Sequence, residues 1–270
     1  MISLTFDEFR DALSLLLPPD DRPIVVYSGL WPLYGGLPCD TREMPQRILA
    51  MLIDVAGPRR TICMPAFTSG YTNGFLDLDE APSSSGLFSE FFRTYPGTIR
   101  TASAFFSFSC LGPKAMEASL LRPLNAWGDG SFYEWMERHN AHCLMLGTPK
   151  ANMSYGHRLE WLKQERIPYR YVKAFRGKIK LRGVLEELDE RLFVRDTSTG
   201  VDNTFAGHEA QLEANGMRSF ALGRGLVTEC STECFKQTLL PILDGDAFAF
   251  VKNREHFRTL YRGLELTRSI

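Results

Sequence analysis

Short apolar runs punctuated by glycine and proline recur through the first half of the chain, with helical stretches between them. Residues 24–27 lead into Ser28-Gly29-Leu30, and 61–64 stop at Pro65. Residues 105–111 stop at Gly112-Pro113, and 143–146 at Gly147. Such runs are too short for buried helices and mostly lack polar alternation, which is the pattern of strands covered on both faces. Helical periodicity occupies 6–17, 45–56, 86–94, 112–121 and 133–139. Strands that alternate with helices predict an α/β fold with a mainly parallel central sheet flanked by helices. Residues 69–85, rich in Gly, Ser, Asn, Pro and acid, read as a long loop.

The pattern changes after about residue 167. Residues 169–175 and 178–181 alternate polar and apolar side chains, which predicts an antiparallel pair turning at Arg176-Gly177. Residues 192–194 add a strand, 204–215 and 231–243 are helical, and 248–251 form a late apolar piece. The expectation is one domain over 1–270 with an antiparallel annex in its C-terminal half. Residues 1–166 would be the α/β core holding the cofactor-binding and catalytic segments. Residues 167–270 would be the annex and closing helices.

A net charge of −1 supplies no global field to recruit nucleic acid or an anionic membrane. The cations from Arg166 to Arg182 are spaced through expected strands. No apolar stretch approaches the roughly 20 residues of a membrane span. The N-terminal segment is acidic and amphipathic, unlike a signal peptide. These features predict a cytoplasmic protein without nucleic-acid or membrane partners. Six scattered cysteines include Cys230 and Cys234, which share a helical face. Two thiols without a second pair or a nearby His make a poor zinc site, so neither metal nor disulfide is expected.

One segment carries chemistry. After the 143–146 strand, a small-residue loop from Gly147 leads to a helix bearing His157 and Glu160. Three residues apart on a helix, their side chains share a face. An imidazole and a carboxylate at the end of a strand are suited to proton transfer. The same pair alone is more readily a hydrogen-bonded helix ornament, so its company along the chain decides.

That company consists of Val26-Tyr27-Ser28-Gly29-Leu30, the run from Gly57-Pro58 to Phe67-Thr68, and Asp77. Ala81-Pro82-Ser83, Gly86, Glu90, Phe92-Arg93 and Tyr95-Pro96-Gly97-Thr98-Ile99-Arg100-Thr101 follow. Gly112-Pro113, Gly130-Ser131 and Leu144-Met145-Leu146-Gly147 through Glu160 complete the series. In this order and spacing the chain resembles the aminoglycoside 3-N-acetyltransferase family from about residue 24 to 161, and more loosely beyond. The resemblance implies acetyl-CoA or another acyl-CoA as donor and the amino group of a sugar as acceptor, with no metal. It makes His157 the general base, with Glu160 beside it and Asp196, or less closely Asp202, as the carboxylate that orients the ring. It points to Ser28, Gly29, Leu30, Thr101, Ser103 and Ser107 for the CoA arm. Asp77, Asp129 and Tyr171 are candidates for the acceptor, with Asp79, Glu80 and Glu165 as further acids.

Two departures from the family stand out. Its Arg-Ser-x-His-Pro is here Arg100-Thr101-Ala102-Ser103-Ala104, and its His-Ser-Ser-Leu is Tyr27-Ser28-Gly29-Leu30. The leading expectation is therefore an acyl-CoA-dependent N-acyltransferase acting on an amino sugar, possible as a homodimer. An acceptor linked to a nucleotide, for surface-glycan assembly, is the alternative. Other readings are a hydrolase with Ser28 or Ser154 as nucleophile, although no G-x-S-x-G elbow is present, and a non-catalytic CoA- or sugar-binding relative.

Overall fold

The computed structural model describes residues 5–268 apart from Gly35, Gly36, Pro38, Ser69, Ala151 and Asn152. Its strands are β1 (Ile24–Ser28), β2 (Ile62–Pro65), β3 (Phe75–Asp77), β4 (Ile99–Arg100) and β5 (Phe108–Leu111). They continue with β6 (His142–Leu146), β7 (Arg170–Leu181), β8 (Val184–Arg195), β9 (Arg218–Leu222) and β10 (Gly225–Ser231). The helices are α1 (Phe6–Leu16), α2 (Trp31–Tyr34), α3 (Met44–Ala56), α4 (Leu87–Arg93) and α5 (Ala115–Ser119). After these come α6 (Phe132–Arg138), α7 (Gly156–Leu162), α8 (Glu209–Ala214), α9 (Thr232–Gly245) and α10 (Arg254–Arg268).

A seven-stranded sheet runs in the order β4-β5-β2-β1-β6-β10-β9, beside a three-stranded sheet β3-β7-β8. The expected α/β layer and antiparallel annex are both present. The parallel part of the main sheet is its centre, where β1 pairs in parallel with β2 and β6. The margins are antiparallel. Connection lengths explain the two outermost pairs, β4-β5 and β9-β10. Residues 101–107 between β4 and β5, and Gly223-Arg224 between β9 and β10, are far shorter than a parallel crossover of about a dozen residues. Strands β9 and β10, from the C-terminal part of the chain, extend the main sheet.

Continuous apolar runs are required because the central strands are buried on both sides. Ile24 and Val26 of β1 join one core cluster with Ile62, Met64, Leu144 and Leu146. Val25 and Tyr27 join the other with Cys63, Cys143 and Met145. Alternate residues thus serve opposite faces. Helix α1 starts at a capping box in which Thr5 and Glu8 bond each other's backbone N–H. Gly57, at φ +69°, ends α3.

The expected turn at Arg176-Gly177 is corrected. β7 runs through both residues and reverses at Arg182-Gly183, where φ is positive at both positions (52° and 73°). That geometry suits a two-residue hairpin loop. The Asp79 carboxylate accepts both turn N–H groups, at 2.6 and 2.8 Å. Gly177 serves a different need, because a Cβ there would lie 2.1 Å from the Gly74 carbonyl oxygen. The long loop expected over 69–85 contains a 3-10 turn (Gly70–Asn73) and β3. The helix expected over 204–215 begins only at Glu209. No helix among the described residues is long and apolar enough to cross a membrane.

Candidate active site

The carboxyl ends of the three central parallel strands meet at one place. Tyr27 and Ser28 close β1, Pro65 closes β2, and Gly147-Thr148 follow β6. Such an edge is where open α/β sheets bind ligands. Gly147 (φ +68°) lets the two loops touch, since a Cβ on it would lie 2.4 Å from the Gly29 carbonyl oxygen. The loop after Thr148 then delivers α7, the helix of His157 and Glu160.

His157 Nδ1 lies 2.7 Å from Glu160 Oε2. Glu160 is fully buried, yet its charge is held by four neighbours. Arg170 Nε approaches Oε2 at 3.0 Å. Tyr169 Oη and Asn203 Nδ2 each donate to Oε1 at 2.8 Å. Burial opposes ionisation, but Arg170, His157 and Tyr169 outweigh it and set the carboxyl at about 2. Arg170 is itself fixed by bonds to the Phe193 carbonyl and Asn203 Oδ1, both 2.6 Å.

These partners decide the tautomer. An ionised Glu160 accepts only, so the proton sits on Nδ1. Arg170 Nη2 also lies 3.0 Å from Nδ1; both groups turn their N–H toward the same carboxylate, and an N–H on each side rules out a bond between them. Nε2 is left as the basic nitrogen. Burial and then the Arg170 charge push the imidazole below its ordinary value of 6.5, against the pull of Glu160. Trp127 and Phe205 pack edge-on against the ring at 5.1 and 5.3 Å. Its side chain remains 23% exposed.

That exposed edge lines two cavities, with Phe205 shared between them. One, of about 400 Å³, has walls from Tyr27, Phe67, Phe106 and Met153, with Ser28, Ser89 and Thr148 among its hydroxyls. Apart from His157 it carries no ionisable group except the buried Tyr27 phenol. The Ser89 and Thr148 hydroxyls are buried without a hydrogen-bond partner. The other, of about 440 Å³, is lined by Arg195, Asp202, Glu209 and Lys252. Here Asp202 pairs with both Arg195 and Lys252.

The structure gathers some expected residues and disperses others. His157, Glu160 and Ser28 share the site; Gly29 and Leu30 follow Ser28 in the turn after β1 but line neither cavity, and Leu30 is buried. Asp196 is elsewhere: its carboxylate caps a 3-10 turn through Ser198, and Glu160 orients the imidazole instead. Asp202 faces the charged cavity but bonds cations rather than the ring. Thr101 and Ser107 are buried and bonded internally, Thr101 to the Phe108 N–H and Ser107 to the Ala66 carbonyl and Arg100. Ser103 bonds Glu190 at 2.6 Å. Asp77 pairs with Lys180 on the annex, Asp129 is 91% exposed beside Arg158, and Tyr171 is exposed on β7. None of these three lines either cavity. Ser154 bonds Tyr27 and Tyr133 rather than His157. Sequence reasoning missed Arg170 and Asn203 as holders of Glu160; neither lies in a motif that flags it. Among the described residues, no group of three or more His, Cys, Asp or Glu is placed to hold a metal ion.

A sequence model of the family described as aminoglycoside 3-N-acetyltransferase matches residues 40–239. Among solved structures, AAC-IIIb in a binary complex with CoASH is 21% identical, with a TM-score of 0.73 over 89% of this chain and 96% of that one. AAC-VIa bound to sisomicin is 16% identical, with a TM-score of 0.72 over 90% and 98%. The YokD protein from Bacillus subtilis is 18% identical, with a TM-score of 0.68 over 87% and 96%. At these identities the likeness shows a shared fold. No curated protein matches in sequence.

Proposed function

The chain belongs to the aminoglycoside 3-N-acetyltransferase family, and from that membership we propose that it transfers an acetyl or other short acyl group from acyl-CoA to the amino group of an amino sugar. The observation that carries this reading is the placement of His157 on the seam of two chemically different cavities. The cavity free of charged walls suits the donor's pantetheine arm, which is uncharged and carries two amides and a dimethyl group. Ser89 and Thr148, buried hydroxyls without partners, supply the hydrogen bonds those amides need. The charged cavity takes the acceptor.

The donor supplies a carbonyl carbon activated by its thioester. Nε2 of His157 accepts a proton from the amine as nitrogen bonds that carbon, and the carbon–sulfur bond breaks. The same nitrogen returns the proton to the departing sulfur. Glu160 stabilises the cationic ring between these events, as in other His–carboxylate pairs. General-base help of this kind contributes about 10²–10⁴ in rate; holding amine and thioester together supplies more.

One observation favours a narrower acceptor. The two acids of the charged cavity, Asp202 and Glu209, are matched by Arg195 and Lys252. A wall of balanced charge gains little from a polycation. It suits a sugar with one amine and an anionic substituent, such as a nucleotide-linked amino sugar. A thiol-release assay with acetyl-CoA against both acceptor classes tests both statements. Release with neither class contradicts acyl transfer to an amino sugar, and preference for the polycation contradicts the narrower acceptor.

A further inference from the structure

The site's chemistry makes no use of a second buried carboxyl, Glu190 of β8, which is 2% exposed. Its Oε2 accepts the Ala104 N–H at 2.6 Å and its Oε1 accepts the Ser103 hydroxyl at 2.6 Å. These are the two positions where the family's His-Pro pair is replaced. The replacement matters chemically, since proline has no N–H to donate.

The Ser103 oxygen in turn accepts the Phe106 N–H at 2.9 Å. Phe106 is a wall of the uncharged cavity. Its ring packs on Phe67 at 5.1 Å and on Trp127 at 4.4 Å, and Trp127 packs on His157. The neighbouring Phe105 turns the other way, onto Phe175 of the annex at 4.8 Å. A short chain of contacts therefore runs from the annex hairpin through Glu190 to the cavity wall and the base.

We propose that Glu190 is a positioning residue: its carboxylate, held by Ser103 and Ala104, sets the place of Phe106 and so the shape of the cavity that takes the donor arm. This rests on the donor assignment made above. The groups around it are few. Tyr71 comes from the 3-10 turn before β3 and Tyr133 from α6. Asp189 and Arg191 flank it on β8, and Phe175 lies opposite on β7. Arg122 and Glu187 share the small cavity beside it, of about 290 Å³. Among the described residues no cation bonds the carboxylate. Burial accordingly raises Glu190 to about 7, with Ser103 and the Ala104 N–H opposing. Charged, the carboxylate makes strong bonds to both donors; protonated, it holds the loop more loosely.

The test compares wild type, Glu190→Gln and Ser103→Ala between pH 6 and 9. Trp127 fluorescence of the ligand-free protein is identified by its loss in Trp127→Phe and recorded in a His157→Ala background, so that the neighbouring imidazole adds no titration. It is expected to step near pH 7 only where Glu190 and Ser103 are both intact. The Kd for CoA by calorimetry is expected to weaken several-fold below that pH in wild type. In both variants it stays weak throughout, while the melting temperature of Glu190→Gln at pH 6 matches wild type. A fluorescence step that survives in Glu190→Gln overturns the proposal, as does CoA affinity that is wild-type in both variants at pH 8. If CoA binds none of the proteins, the donor assignment fails, and the fluorescence step still decides the role of Glu190.

Discussion

Glu160 Oε2 lies 2.7 Å from His157 Nδ1, one turn along α7, and the carboxylate is entirely out of water. A buried charge of this kind survives only with dedicated partners, and Arg170, Tyr169 and Asn203 provide them. The pair is therefore a built device rather than a chance neighbour on a helix.

Replacing Glu160 with Gln leaves Arg170, which is 5% exposed, without its counter-charge. Loss of one member of a buried pair costs roughly 3–5 kcal/mol, so the melting temperature falls at neutral pH. The wild-type carboxyl is depressed to about 2 from 4.5, so the stability it contributes is complete above pH 4.5 and disappears as pH falls through about 2. The difference in melting temperature between the two proteins is expected to shrink across that window.

The pH dependence of turnover follows from His157. Burial and Arg170 hold its value below the ordinary 6.5, so the acid limb that the proposed base adds to kcat/KM lies below that pH, in addition to the limb set by the acceptor amine's own ionisation. Arg170→Gln removes the nearest repelling charge while Glu160 stays. The acid limb of the kcat/KM profile then moves to higher pH. A limb that stays fixed contradicts the assigned electrostatics.

Gly156 touches Phe205 so closely that a Cβ would lie 2.2 Å from the ring. Gly156→Ala therefore displaces the side chain that separates the two cavities. A displacement near 1 Å costs on the order of 10²-fold in rate. The expected result is a large loss of kcat/KM with a nearly unchanged circular dichroism spectrum.

Reversing one cation of the charged cavity probes the acceptor. Lys252→Glu leaves Asp202 with Arg195 alone and adds an acid. Relative kcat/KM for a polyamine such as sisomicin over a nucleotide-linked amino sugar is expected to rise, most at low salt. A ratio unchanged at low salt places the acceptor elsewhere.

The central strands were legible because burial on both faces demands unbroken apolar runs, and β1 and β6 have them. β9 and β10 were not, because Arg218, Ser219, Thr228 and Glu229 interrupt their apolar character. The segment from 170 to 195 holds two Arg-Gly pairs, Arg176-Gly177 and Arg182-Gly183, and local pattern alone does not choose between them. The choice is tertiary: Gly74 crosses Gly177, and Asp79 receives the N–H groups of the second pair. His157 and Glu160 were readable because three residues of spacing put them on one face. Arg170 and Asn203 reach Glu160 from later segments, so no local spacing announces them. Asp196 was drawn in by position along the chain, but β8 ends at Arg195 and turns its carboxylate toward Ser198.

Single-turnover acetyl transfer by His157→Ala, beside its CoA affinity by calorimetry, tests the central claim most directly. The account predicts CoA binding within a few-fold of wild type and transfer slower by about 10²–10⁴. Transfer at the wild-type rate would contradict it.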